Sequence, residues 1–120
     1  MNYVDGFVLA VPKKKLKQYL AIAKKASKVW KDHGALEYYE AVGDDLKSKM
    51  GVPFPKLANA KAGETVVFAW IVYKSRAHRD KVNKKVMADP RLNEMCTPED
   101  MPFDCKRMTY GGFKIAVEAK

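Results

Sequence analysis

Hydrophobic alternation is the strongest pattern in this chain, and in one segment it occupies both faces at once. From Glu64 to Tyr73, Val66, Phe68, Trp70 and Val72 fall on one side of an extended backbone, and Val67, Ala69, Ile71 and Tyr73 on the other. A strand of this kind must be covered on both sides. The chain predicts few helices to do that, so the pattern implies that a second copy covers the remaining face. Residues 2–11 repeat the pattern, with Tyr3, Phe7, Leu9 and Val11 set against Val4, Val8 and Ala10, and Pro12 closes the run. Asp5 and Gly6 interrupt it, and Gly6 suggests a bulge or a close backbone approach.

Between these strands the period changes. Over residues 13–33, Leu16, Tyr19, Leu20, Ala23, Ala26, Ser27 and Trp30 gather on one helical face. Lys13, Lys14, Lys17, Lys24, Lys25, Lys28 and Lys31 gather opposite, and Gly34 supplies a left-handed stop. Leu36–Val42 reads as a strand that suits an edge, since Tyr38 and Tyr39 mix with Glu37 and Glu40. Residues 43–63 are too long for a hairpin connection and predict a flap, a short helix or an inserted arm against the dimer seam or cleft mouth. Ser75 caps a second helix that Pro90 ends, with His78, Val82 and Val86 as its inner line. Residues 91–104 read as irregular, and Cys105–Val117 as a last strand that Gly111 and Gly112 bend or bulge.

The order is β-α-β-β-α-β, a single ferredoxin-like α+β domain over residues 1–120. Right-handed crossovers place both helices on one face of a four-stranded antiparallel sheet. The other face is then open and apolar, and two such sheets packed face to face give a homodimer.

Composition adjusts this picture only slightly. A chain of 120 residues is one domain, long enough to bury roughly two thirds of its unfolded surface. No apolar run approaches the ~20 residues of a membrane span, and no secretory leader is visible, so a cytoplasmic protein without a membrane partner is expected. Cys96 and Cys105 lack a metal-type spacing, and His33 and His78 stand in unrelated segments. The two cysteines are therefore expected to be free thiols, with no metal or cofactor. A net charge of +9 invites a nucleic-acid partner, but much of that charge is the wet side of one helix. The segment 65–73 also lacks the basic residue and glycine of the RNA-recognition fold that shares this element order.

Several strings carry a resemblance. Tyr3–Val8, Phe68–Tyr73, Ala88–Arg91 and, most specifically, Met101-Pro-Phe-Asp-Cys-Lys-Arg-Met-Thr-Tyr-Gly-Gly-Phe113 resemble the bacterial domain-of-unknown-function family 1428, in the dimeric α/β-barrel superfamily. The resemblance spans nearly the whole chain and implies the fold and the dimer. It implies no particular activity. Relatives in the superfamily include cofactor-free monooxygenases, lactone isomerases, haem-dependent enzymes and ligand-binding proteins, usually with a pocket between the sheet and its own helices.

Four side-chain groups are candidates for chemistry. His78, on the inner line of the second helix, would be a base or ligand if it points into a cleft, or a helix-start residue bonded to nearby backbone if it does not. Asp5 would be a buried acid/base or the partner of a cation, with Arg107 on the last strand as the candidate. Asp104, Arg107 and Tyr110 suggest a polar network fixing the C-terminal strand. Trp70 and Phe68 would stack on an aromatic ligand or pack in the dimer core. Gly111-Gly112 lacks the lysine, hydroxyl and helix start of a phosphate loop. Three readings result: a homodimer that binds a small molecule, with cofactor-free chemistry at His78 and Asp5 if it is an enzyme; a non-enzymatic binding or interaction module; and a basic surface docking on RNA.

Overall fold

The structure, a computed structural model, describes residues 2–95 and 101–120. Four strands form one antiparallel sheet: β1 (Tyr3–Pro12), β2 (Glu37–Val42), β3 (Glu64–Tyr73) and β4 (Thr109–Lys114), in the order β2-β3-β1-β4. Among the described residues four helices accompany them: α1 (Leu16–Asp32), α2 (Phe54–Leu57), α3 (Arg76–Met87) and α4 (Pro90–Met95). This is the ferredoxin-like α+β arrangement.

The two faces of the sheet have different fates. Odd-numbered residues of β1 and β3 face α1, α3 and α4. Tyr3, Ile71 and Tyr73 pack there with Val29, Val82, Val86 and Leu92, and Leu9, Val11 and Val67 pack with Tyr19 and Ala23. Helix α1 buries Tyr19, Ala23, Ala26 and Val29, an i, i+4, i+7, i+10 line, and turns its lysines to solvent. It stops at Gly34, whose φ of 111° suits only a residue without Cβ.

Even-numbered residues face away. At one end residues 43–63 cross this outer face, where Ala58 is buried against Val8, Ala10 and Val66, and the Phe54 ring meets Phe68 edge-on at 6.1 Å. Toward the other end, Tyr39 (46% exposed), Phe68 (42%) and Phe113 (63%) lie open.

Three expectations need correction. Residues 90–95 form a helix where an irregular stretch was expected, because Asp89 caps it by accepting from the Arg91 N–H at 2.8 Å. Of Cys105–Val117 only Thr109–Lys114 is strand, since Cys105–Arg107 winds into a single 3₁₀ turn first. The glycine pair makes no bulge: Gly111 pairs in register with Gly6 and Gly112 with Asp5. The glycines serve space instead. A Cβ on Gly112 would overlap the Tyr3 hydroxyl, and the Phe113 ring lies over Gly6 and Gly111.

Candidate functional site

Small residues opposite one another create a sizeable internal space. Ala23 and Ala26 of α1 face Ala69 of β3, while larger neighbours hold the layers apart, leaving a cavity of about 510 Å³ between the sheet and its helices. Residues 101–108 close one side through Met101, Phe103 and Met108, and exposed Met87, Asn93, Cys105 and Tyr110 mark the rim. The most specific string of the sequence is therefore a cavity wall. Cys105 is an exposed free thiol; Cys96 lies outside the described residues.

Six aromatic residues line the space, and they form three ring pairs. Phe7 stacks on Tyr110 at 4.9 Å, Tyr19 meets Phe103 edge-on at 5.5 Å, and Trp30 tilts against Tyr38 at 5.9 Å. Each pair joins two different elements. The cavity walls are therefore fixed by ring contacts that span the fold.

The polar groups sit in two places. On β1, Asp5 is 1% exposed and its Oδ1 accepts from Arg79 Nη1 at 2.8 Å. Arg79 also donates to the Tyr110 hydroxyl at 3.1 Å, and its Nε donates to Asp80 at 2.8 Å. Asn83 stands beside them, its Oδ1 accepting from Trp30 Nε1 and from the Tyr73 hydroxyl, each at 3.2 Å. Burial pushes the Asp5 carboxyl above its ordinary value, against the pull of Arg79 and Asn83. Burial, and then the Asp5 charge, likewise raise Tyr110. On β2, Glu40 accepts from two phenols, Tyr19 at 2.6 Å and Tyr38 at 2.7 Å.

Of the residues singled out from sequence, the structure brings Asp5 and Tyr110 together in the cavity and leaves His78, Trp70, Phe68, Asp104 and Arg107 elsewhere. His78 sits at the start of α3, where its backbone N–H donates to the Ser75 hydroxyl, its Nδ1 accepts from the Lys74 N–H at 3.0 Å, and its ring meets Tyr73 edge-on. It does not line the cavity. Trp70 lies on the outer face between Tyr39 (4.9 Å) and Phe68 (5.4 Å). Arg107 does not pair with Asp5, because the 3₁₀ turn holds it back from the strand ladder. It binds Glu64 through two nitrogens at 2.8 and 2.7 Å, donates to the Asn59 carbonyl, and pairs with Asp104 at 3.4 Å. That hydrogen-bonded pair holds the Glu64 carboxyl down to about 2. Asp104 and Arg107 thus share a network, but Tyr110 belongs to the Asp5 cluster.

Three participants escaped the sequence reading: Arg79, Asn83 and Glu40. The signal for the first two was present, since Arg79, Val82, Asn83 and Val86 form an i, i+3, i+4, i+7 stripe. For Glu40 it was the alternation Tyr38, Glu40, Val42 on the inward side of β2. Among the described residues, no group of three or more His, Cys, Asp or Glu side chains is placed to hold a metal ion. Nor is any helix among them long and apolar enough to cross a membrane.

Fold and cavity together define a ferredoxin-like α+β protein with an aromatic chamber between its layers. The chain belongs to the family described as "Protein of unknown function (DUF1428)", which matches residues 2–105. It is similar to "Uncharacterized protein YbaA" of Escherichia coli strain K12, 44% identical over 118 residues, 98% of this chain and 99% of that protein. The protein of that description in Shigella flexneri matches to the same extent. Among solved structures, an uncharacterized NIPSNAP domain protein from Burkholderia xenovorans has a TM-score of 0.58 at 15% identity, covering 98% of both chains. SnoaB of Streptomyces nogalater, described as a cofactor-independent oxygenase, has a TM-score of 0.61 at 10% identity, covering 98% of this chain and 95% of that one. At these identities the structural likenesses establish the fold alone.

Proposed function

We propose that this protein is a homodimer that binds a small, largely apolar organic molecule in the chamber between sheet and helices. The observation that carries the reading is the chamber itself: about 510 Å³, walled by six aromatic rings, with Asp5, Asn83, Tyr110 and Glu40 among its few polar groups. Ligand sites of that size are usually apolar with a small number of orienting polar groups. The outer-face aromatics support the dimer, because an open apolar sheet face is seldom left bare on a monomer. A cytoplasmic location is part of the same reading, and the exposed free thiol of Cys105 suits a reducing compartment.

Native mass spectrometry of gently purified protein, incubated with a small-molecule extract of the source cells, tests the binding. Each protomer is expected to carry a discrete added mass, which the cavity-filling Ala69→Leu variant loses. Wild-type protein that retains no added mass overturns the reading.

A second reading makes the chamber catalytic. It is favoured by the Asp5 carboxyl, which burial has moved above its ordinary value and which opens onto the space beside Tyr110. In that reading Asp5 exchanges a proton with the bound molecule, and chemistry without a cofactor, as described for SnoaB, is the kind it suits. Turnover that persists in Asp5→Asn would exclude it. RNA is the least supported partner: the lysines of α1 and the aromatics Phe68 and Trp70 lie on opposite sides of the sheet, so charge and stacking surface are not combined.

A further inference from the structure

The chamber's lining has a sign. In a chain of net charge +9, no Lys, Arg or His lines the cavity among the described residues, while two carboxylates, Asp5 and Glu40, do. The two are not equivalent. Asp5 is matched by Arg79 behind it at 2.8 Å. Glu40 is held by neutral phenols, Tyr19 and Tyr38, and no cation pairs with it among the described residues. Those phenols belong to two of the three ring pairs, so the carboxylate sits where aromatic faces and edges converge.

We infer that the chamber selects an apolar amine, a lipophilic cation whose ammonium group sits at Glu40 among the Tyr19, Tyr38 and Trp30 rings. This rests on the small-molecule reading above and names its ligand class. A buried ammonium needs a countercharge and hydrogen-bond acceptors, and the two carboxylate oxygens of Glu40 supply both. Aromatic faces add cation–π attraction, which grows where water is excluded. The remaining lining, with Met87, Met101 and Met108 among it, suits the apolar body. An anionic ligand would meet two carboxylates and no lining cation. Lys24 borders a smaller recess that Glu40 and Tyr38 also line, but it is exposed and forms no ion pair with Glu40, so its charge is met mainly by solvent and salt.

Three probes of one shape test the inference by calorimetry on the intact protein: 2-naphthylmethylamine, 2-naphthylmethanol and 2-naphthoic acid. The amine is expected to bind about tenfold or more tighter than the alcohol, and the acid most weakly, the difference that one charge-assisted contact confers. Glu40→Gln, which keeps an acceptor for the tyrosines, should erase the amine's advantage and leave the alcohol's affinity in place. An alcohol that binds as well as the amine, or an acid that binds best, overturns the inference and leaves the small-molecule reading standing. An amine preference unchanged in Glu40→Gln also overturns it. If none of the three binds, the aromatic chamber takes no such guest and both readings fall.

Discussion

Arg79 donates to four groups at once, Asp5, Tyr110, Asp80 and Tyr3, and its removal would leave the buried Asp5 carboxyl without its cation. Asp5 is 1% exposed and the Arg79 side chain 13%, so the pair is shielded from solvent on both sides. Breaking such a pair from one side strands a buried charge, at about 3–5 kcal/mol. Arg79→Met should therefore lower the unfolding free energy by that order, and Asp5→Asn in the same background should recover much of it. Denaturant melts of the two single variants and the double variant check the coupling; simple additivity would show that the pair contributes little. The sequence suggested a buried partner for Asp5 but pointed to Arg107, because the first and last strands run antiparallel. The residue opposite Asp5 is Gly112, and the missing cation comes from a helix instead. Reading α3 along His78, Val82 and Val86 placed its inner line one residue away from the stripe that carries Arg79. Polar residues completing an apolar stripe are easily taken for its edge, and only packing reveals that they are buried.

At the scale of elements, the Glu64–Arg107 pair fastens three pieces: the start of β3, the wall segment 101–108, and residues 43–63 through the Asn59 carbonyl. The folded protein holds Glu64 near 2, below its ordinary 4.5. The pair's stabilisation is thus complete above pH 4.5 and shrinks as pH falls, vanishing below about 2. Thermal melts across that range should show a shallower acid loss for Arg107→Ala than for the wild type; parallel curves would mean the pair contributes nothing. The β1–β4 ladder offers a second check. Gly112→Ala drives a methyl into the Tyr3 hydroxyl, whereas Gly111→Ala meets only the Phe113 ring at 3.7 Å. Overpacking typically costs about 1–3 kcal/mol, so Gly112→Ala should unfold at distinctly lower denaturant than Gly111→Ala. Equal midpoints would show that Tyr3 simply moves aside. The order of elements, helix α1 and the apolar faces of β1 and β3 were legible in the sequence because period and burial agree there. The α4 helix and the short β4 were not, since a six-residue helix and a 3₁₀ turn leave too few repeats for a period to register.

The whole molecule is asymmetric in a way that one chain does not resolve. Its inner face is covered by helices, and its outer face is only partly covered by residues 43–63. Tyr39, Trp70, Phe68 and Phe113 form the uncovered part, with the Phe113 ring close above the space that Gly6 and Gly111 leave clear. A two-fold axis over this patch would set it against its own copy, bringing each Phe113 near its equivalent. Phe113 is 63% exposed within one chain, so Phe113→Glu costs the monomer little while placing two like charges in the seam. Sedimentation at micromolar concentration should give twice 13.6 kDa for the wild type and 13.6 kDa for Phe113→Glu. A wild-type monomer would refute the dimer, and a Phe113→Glu dimer would place its seam elsewhere. All described residues lining the chamber belong to one chain, so the monomeric variant should bind its ligand as the wild type does. Loss of binding together with the dimer would mean instead that pairing of the sheets sets the spacing of the chamber walls.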